Sequence, residues 1–174
     1  TNDLGDPERA KCVALAQSFP WSHGPKTLFL RNRNVGLVGQ WLTCYVHPQL
    51  FEKADEDVEM VHEGHVVILE DDMQASPVYW KWLKQMWAHY RRRQDLIGIS
   101  LQSQHLISSS GSDRLVVTND FNPYMYKVSG SWGFSPHPRA WPQFLKWQAK
   151  LAPTGYVPSD LTFKGTPVIT SKWW

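Results

Sequence analysis

The chain is long enough for one domain, and its composition excludes several classes of protein. It has 174 residues, of which 42% are hydrophobic and 20% charged, as is typical of a globular protein with a sizeable core. The net charge of +2 comes without a long basic stripe, so we expect no nucleic-acid partner. No apolar run approaches the roughly 20 residues of a bilayer-spanning helix, so we expect no membrane segment. We therefore predict a single domain over residues 1–174.

The first part of the chain predicts a helix, a strand and a second helix. In "DPERAKCVALAQSF", Asp6 and Pro7 fit the N-cap and the first helical position, so the stretch predicts a short helix. "KTLFLRN" predicts a strand. "NVGLVGQWLTCYVHPQLF" has an apolar stripe at helical spacing and predicts a helix that ends near its proline.

The middle of the chain predicts two strands around one helix. "HVVILE", from His65, is almost continuously apolar, which predicts a central strand of a parallel sheet buried on both faces. Ser76 and Pro77 then fit an N-cap and first turn, and the helix they begin runs to the arginines at 91–93. "DLIGISLQ" predicts the next strand.

The last part predicts a glycine-flanked aromatic turn at 130–133 and a helix over 139–150. Strands and helices thus alternate along the chain. This alternation is typical of an α/β fold in which helices flank a mostly parallel central sheet.

Three carboxylates follow the predicted central strand directly: Glu70, Asp71 and Asp72. Ligands of open α/β sheets bind outside the carboxyl ends of strands, which is where these residues lie. Neighbouring carboxylates repel one another unless a cation, a ligand hydroxyl or backbone donors compensate. Mg²⁺ or Mn²⁺ does so well, because these ions prefer oxygen ligands and a substrate diphosphate. The alternative is that the triplet caps a helix, worth roughly 0.3–1 kcal/mol per acidic residue.

The segment "VVILEDDMQASPVYWKWL" resembles the metal-binding segment of GT-A fold glycosyltransferases, in particular the group with a Glu-Asp-Asp motif of the N-acetylglucosaminyltransferase I type. "YKVSGSWGFSPHPRAWPQFL" is similar to their acceptor-side turn and following helix, and "RNRNVGLVGQWL" resembles the helix before the acidic strand. The resemblance covers roughly residues 20–150. It implies a Rossmann-like GT-A domain whose first strand is missing at the N-terminus, so we expect a fragment of a longer chain.

The resemblance also implies an activity and its site. The resemblance implies that Asp72 is the leading ligand of Mn²⁺ or Mg²⁺. It implies that Asp71 contacts the ribose or is a second carboxylate beside the metal, and that Glu70 is a supporting residue of the donor site. The expected reaction moves a sugar from a UDP- or GDP-sugar to a hydroxyl of a glycan or glycoconjugate, with inversion. If the chain follows the eukaryotic family, the compartment is the Golgi lumen.

An inverting transfer needs a general base, and the later carboxylates are the candidates. Asp160, in "VPSDLTF", comes first by its order in the chain, and its alternative role is an Asx-turn or helix cap after Pro158. Asp120, in "VTNDFNPY", is the second candidate, with loop capping as its alternative role.

Further residues are candidates for substrate contacts. Trp132 would stack on the acceptor sugar, and Gly133 would let ring and backbone approach closely; core packing is the alternative. His137 would face the site or lie in a surface loop. Arg31 and Arg33 would contact the nucleotide or diphosphate as planar donors, or lie on the surface.

Two other functions compete with the glycosyltransferase. A non-catalytic carbohydrate-binding domain is compatible with the ten tryptophans but does not explain an acidic strand end. A Mg²⁺-dependent nucleotidyltransferase would need a phosphate-cradling glycine-rich loop or a lysine signature, and the sequence has neither.

Overall fold

The computed structural model describes most of the chain and divides it into two compact units. Described are residues 7–45, 65–103, 117–120, 122–126 and 130–156, with the backbone of 162–163 and 166–167. The first unit spans Thr1–Val46 and the second His47–Trp174. The single domain over the whole chain stays a prediction.

The first unit contains the two predicted helices. α1 is Pro7–Ser18 and α2 is Gly36–Thr43. α2 ends earlier than the predicted end near Pro48. The predicted N-cap of α1, Asp6, lies outside the described residues.

The segment "KTLFLRN" does not form the predicted strand. Residues 26–32 have no regular secondary structure, and Phe29 is 79% exposed. A strand needs a neighbouring strand for its backbone N–H and C=O groups. Among the described residues of this unit, no strand pairs with this segment. Lys26 has another role: its ammonium donates to three carbonyl oxygens at the end of α1, at 2.7–2.9 Å. These carbonyls have no partner inside the helix, so Lys26 helps to end α1.

The helix after the acidic triplet begins later than predicted. α3 is Tyr79–Tyr90, and its N-cap residue is Val78. The prediction that Ser76 and Pro77 start the helix is wrong, because the Ser76 carbonyl accepts the Tyr79 N–H at 3.0 Å and closes a separate turn. The predicted end is confirmed, since Arg91 is the C-cap residue.

Three extended segments lie side by side in the second unit. β1, Gly98–Ser100, pairs antiparallel with β2, Phe134–Pro136. On its other side, β2 contacts residues 65–70, here called the entry segment, through an antiparallel bridge between Ile68 and Phe134. β2 therefore lies in the middle, and the entry segment and β1 run in the same direction.

The apolar sequence of the entry segment predicts a strand buried on both faces, and this prediction is wrong. Val66, Val67 and Ile68 are only half-buried, and Leu69 is 41% exposed. The reason is its position: in the described part of the chain it pairs with β2 alone, so it is an edge segment. The predicted strand in "DLIGISLQ" is confirmed as β1. The strand pairs among the described residues are antiparallel, and the mostly parallel α/β sheet stays a prediction.

The core of the second unit lies between α3 and the sheet. Leu83 and Trp87, one turn apart on α3, are fully buried and pack with Ile99 of β1. Phe134 of β2 is also buried. Removal of these apolar surfaces from water is the main favourable contribution to the fold of this unit.

The last described helix, α4, is Ala140–Leu151, which confirms the prediction over 139–150. Trp141 and Leu145 lie one turn apart and are buried, as expected for an amphipathic helix. A 3-10 turn at Ala152–Thr154 and an antiparallel pair of strands, β3 at Thr162–Phe163 and β4 at Thr166–Pro167, follow. No helix in the described part of the chain has both the length and the apolar character to cross a bilayer.

Candidate functional site

The acidic triplet leaves the entry segment in an open turn. Glu70 is half-buried, whereas Asp71 and Asp72 form the turn itself and are exposed. We call residues 70–72 the acidic turn. Its carboxylates lie at the carboxyl end of the entry segment, as predicted, and the exposed position lets water or a ligand reach them.

A second turn, residues 130–133, lies beside the acidic turn and is here called the aromatic turn. The Ile68 N–H donates to the Phe134 carbonyl at 2.8 Å. The acidic turn follows Ile68 and the aromatic turn precedes Phe134. Because the bridge between Ile68 and Phe134 is antiparallel, the two turns lie at the same end of the sheet. Trp132 is 55% exposed there.

The end of β1 reaches the same place. The Leu101 N–H donates to the Gly133 carbonyl at 2.9 Å. Gly133 has φ +71°, and a Cβ on it would lie 2.9 Å from the Leu101 side chain. A glycine is needed there for both reasons, backbone conformation and close packing. Gly133 is itself buried, so the predicted substrate-side residue shapes the turn, and Trp132 is the one that reaches solvent.

A groove of about 1000 Å³ runs along β1 from this end of the sheet. Gln102 and Ser103, at the carboxyl end of β1, line it, and the Ser103 hydroxyl lies 3.2 Å from the Tyr124 hydroxyl. Tyr126 also lines it, and burial raises the pKa of this phenol. These residues were not predicted from the sequence. Tyr124, Met125 and Tyr126 all line the groove, and no alternation in this short stretch marks them in the sequence.

Asp120 lines the same groove. Its φ of +53° is left-handed, a conformation that Asp tolerates better than most residues. Asn119 and Asn122 hold the turn around it, because each side-chain amide donates to the other's backbone carbonyl, at 2.6 and 2.7 Å. Asp120 therefore lies in a turn that borders the groove, and its roles as general base or loop cap both stay predictions.

His137 lies at the opposite end of β2 from the two turns. It is 1% exposed, so it is not a surface-loop residue. Its Nδ1 accepts the Arg139 N–H at 3.1 Å, and Nε2 lies 3.1 Å from the Arg91 carbonyl. Both contacts are satisfied by a neutral imidazole protonated on Nε2. Burial lowers the pKa of His137; the hydrogen bond to the Arg91 carbonyl opposes this shift, and the charge of Arg139 adds a smaller lowering. This histidine joins α3 to β2, and we leave it out of the site proposed below.

Arg31 and Arg33 lie in the first unit, where both line a cavity of about 420 Å³. Arg31 is anchored, since its Nη2 donates to the Thr43 carbonyl at 3.1 Å and to the Thr43 hydroxyl at 2.6 Å. Arg33 is exposed. A third arginine, Arg9 of α1, lines the cavity and was missed, because nothing in the helical pattern of α1 marks it.

The remaining predictions concern the base and the metal. Asp160 lies outside the described residues. Within the described ranges there is no group of three or more His, Cys, Asp or Glu side chains that could hold a metal ion. An ion that binds together with a diphosphate needs only one or two protein carboxylates. Asp71 and Asp72 fit that requirement, in contrast to a site built wholly from protein ligands.

No protein-family model, curated protein or solved structure matches this chain. The resemblance to GT-A enzymes therefore rests on the quoted motifs alone.

Proposed function

We propose that this protein is a metal-dependent glycosyltransferase that moves a sugar from a nucleotide-diphosphate sugar to a hydroxyl acceptor. One observation carries the proposal: the exposed carboxylates Asp71 and Asp72 lie at the same end of the sheet as the exposed indole of Trp132. A site for this reaction needs both features, a pair of oxygen ligands for an ion on the donor and a flat apolar surface for a sugar ring.

The acidic turn serves the donor in this proposal. Asp72, with Asp71, holds Mn²⁺ or Mg²⁺, while Glu70 supports the turn from its half-buried position. The ion neutralises charge that develops on the diphosphate as it leaves. Because the protein supplies few ligands, the ion and the nucleotide sugar bind together, and neither binds tightly alone.

The aromatic turn and the groove serve the acceptor. Trp132 stacks on the acceptor sugar, and the groove along β1 takes the rest of the acceptor. The oxygen of the acceptor hydroxyl bonds to the anomeric carbon of the donor sugar while the bond from that carbon to the diphosphate breaks. A carboxylate of the protein removes the proton of the hydroxyl in this step. Asp120 borders the groove and Asp160 comes later in the chain; these two are the candidates for the base.

A thermal-shift screen of UDP- and GDP-sugars, with Mn²⁺ or with EDTA, tests the donor. A ligand that binds only the folded state stabilises it by RT ln(1 + [L]/Kd), about 2.7 kcal/mol at a hundredfold excess over Kd. We expect stabilisation by at least one nucleotide sugar that requires Mn²⁺. Asp72→Asn should abolish it, whereas Glu8→Gln, which removes an exposed carboxylate of α1, should not.

The same screen separates the competing functions. A carbohydrate-binding domain would respond to free sugars and ignore the nucleotide and Mn²⁺. A nucleotidyltransferase would respond to nucleoside triphosphates rather than to nucleotide sugars. A Mn²⁺-dependent response that survives in Asp72→Asn would show that the metal site is elsewhere.

A further inference from the structure

The cavity of the first unit concentrates positive charge. Three arginines line it, Arg9 from α1 and Arg31 and Arg33 from the loop before α2. No carboxylate among the described residues lines it. None of the three arginines forms an ion pair within the described ranges. Like charges held this close repel one another, and an anion in the cavity would relieve that repulsion.

The backbone and side-chain contacts of Arg31 hold its guanidinium in place but do not use all its donors. Nη2 is bound to Thr43, as described above. Nε is buried and has no hydrogen-bond partner in the described part of the chain. A buried donor without an acceptor is unfavourable, and more so when the group is charged. Because Nε is also closed off from solvent, an oxyanion in the cavity would reach Arg31 through its other guanidinium nitrogens.

Arg9 and Arg33 also line the cavity. The Arg9 Nη2 donates to the Arg31 carbonyl at 3.0 Å, which ties α1 to the loop and fixes the Arg9 side chain beside the cavity. Arg33 is exposed and has no side-chain hydrogen bond among the described residues. Arg31 is thus anchored to Thr43, Arg9 is tied to the Arg31 carbonyl, and the exposed Arg33 makes no side-chain hydrogen bond among the described residues.

The start of α2 adds a fourth source of positive potential. Gly36 and Leu37, the first residues of this helix, line the cavity. The first turn of α2 holds no acidic residue, and its N-cap residue, Val35, makes no side-chain cap. The Gly36 N–H already donates to the Asn34 Oδ1 at 2.7 Å. The N–H groups that follow it at the start of the helix have no partner inside the helix and favour anions.

The geometry points to a binding site for a phosphate-class anion in the first unit, formed by Arg9, Arg31, Arg33 and the start of α2. Guanidinium groups match phosphate oxygens with paired donors, and the cavity of about 420 Å³ has room for one or two phosphate groups. The site needs no metal and does not depend on the proposed function. The ligand is either a free anion, such as phosphate or pyrophosphate, or the diphosphate group of a nucleotide.

Calorimetric titration of the full chain with inorganic pyrophosphate, in EDTA at constant ionic strength, tests the site. We expect saturable binding that Arg33→Gln weakens about tenfold, as for loss of a charge-assisted hydrogen bond. Arg33 is exposed and makes no described side-chain hydrogen bond, so this variant should fold. Arg92→Gln, which removes an exposed arginine of the second unit, is the matched control and should bind as the wild type does.

UDP and inorganic phosphate in the same assay separate the two sources. If UDP binds more tightly than pyrophosphate and loses affinity in Arg33→Gln, the ligand is a nucleotide diphosphate. If the nucleoside adds nothing, the ligand is a free anion. Non-saturable binding, or equal affinities of wild type and Arg33→Gln, would overturn the site. Because EDTA removes the metal, failure of the glycosyltransferase proposal leaves these outcomes unaffected.

Discussion

The indole N–H of Trp87 donates a 2.8 Å hydrogen bond to the hydroxyl of Ser135, 48 residues further along the chain. Both side chains are fully buried. The Ser135 hydroxyl in turn donates to the carbonyl oxygen of Val66 in the entry segment. One serine of β2 therefore connects the core helix α3 with the segment that carries the acidic turn.

Loss of the Ser135 hydroxyl should destabilise the second unit. In Ser135→Ala the buried Trp87 N–H and the half-buried Val66 carbonyl both lose this partner, and a buried unsatisfied group such as the Trp87 N–H costs about 1–3 kcal/mol. We expect urea denaturation to show that the free energy of unfolding decreases by about this amount relative to wild type. Ser18→Ala, at an exposed hydroxyl of α1, should stay within about 0.5 kcal/mol of wild type. An unchanged midpoint for Ser135→Ala would contradict the bridging role.

A side chain at Gly98 should disrupt the pairing of β1 with β2. A Cβ there would overlap the ring of Phe134 and lie 2.7 Å from the Ser135 carbonyl oxygen. Gly98→Ala is expected to cost about 1–3 kcal/mol in unfolding free energy, as overpacking typically does. In the double variant with Phe134→Leu the smaller side chain removes part of the overlap. The two changes should therefore cost less together than the sum of the single effects, and strict additivity would exclude a direct clash.

The buried His137 should make stability depend on pH. Its folded-state pKa is lowered, so below the ordinary histidine pKa of about 6.5 the unfolded chain binds a proton more readily than the folded one. Its contribution is thus present above about pH 6.5 and is lost as the pH falls toward the folded-state pKa. The limiting slope for one proton is about 1.4 kcal/mol per pH unit.

Urea denaturation between pH 7.5 and 5 measures this slope. His137→Gln should flatten it, while His89→Gln, which changes an exposed histidine of α3, should keep it. Equal slopes in wild type and His137→Gln would assign the pH dependence to other groups.

Trp132 should affect acceptor binding and leave the fold intact. At 55% exposure its side chain contributes little to the core, so Trp132→Ala should change the unfolding free energy by less than about 0.5 kcal/mol. Loss of a stacking surface should nevertheless raise the acceptor KM about tenfold, with a smaller effect on the donor KM. Trp147→Ala, at a similarly exposed tryptophan of α4, should leave both constants unchanged. Equal acceptor KM values for the two variants would remove Trp132 from the site.

The helices could be predicted because their signals are local. The spacing of Leu83 and Trp87 and of Trp141 and Leu145 places each pair on one face, whatever the rest of the chain does. The order of an apolar segment followed by three carboxylates is local too, and the acidic turn is found where the sequence puts it.

The strands could be predicted only in part. β2, "FSP", is three residues long and contains a proline, so no alternation marks it. "KTLFLRN" has the composition of a strand, but no strand among the described residues pairs with its backbone. Strand formation depends on a neighbour from elsewhere in the chain, which local patterns do not specify.

The sequence by itself determined the helical segments, their apolar faces and the presence of an acidic turn after an apolar segment, because each depends on residues a few positions apart. The tertiary structure alone decided that Trp132 lies at the end of β2 near the acidic turn, while His137 is buried at the other end of β2. It also decided that Arg9 joins Arg31 and Arg33 around one cavity. The physical reason is that register and cavity walls are set by hydrogen bonds and packing between distant segments, for which no short stretch of sequence holds the information.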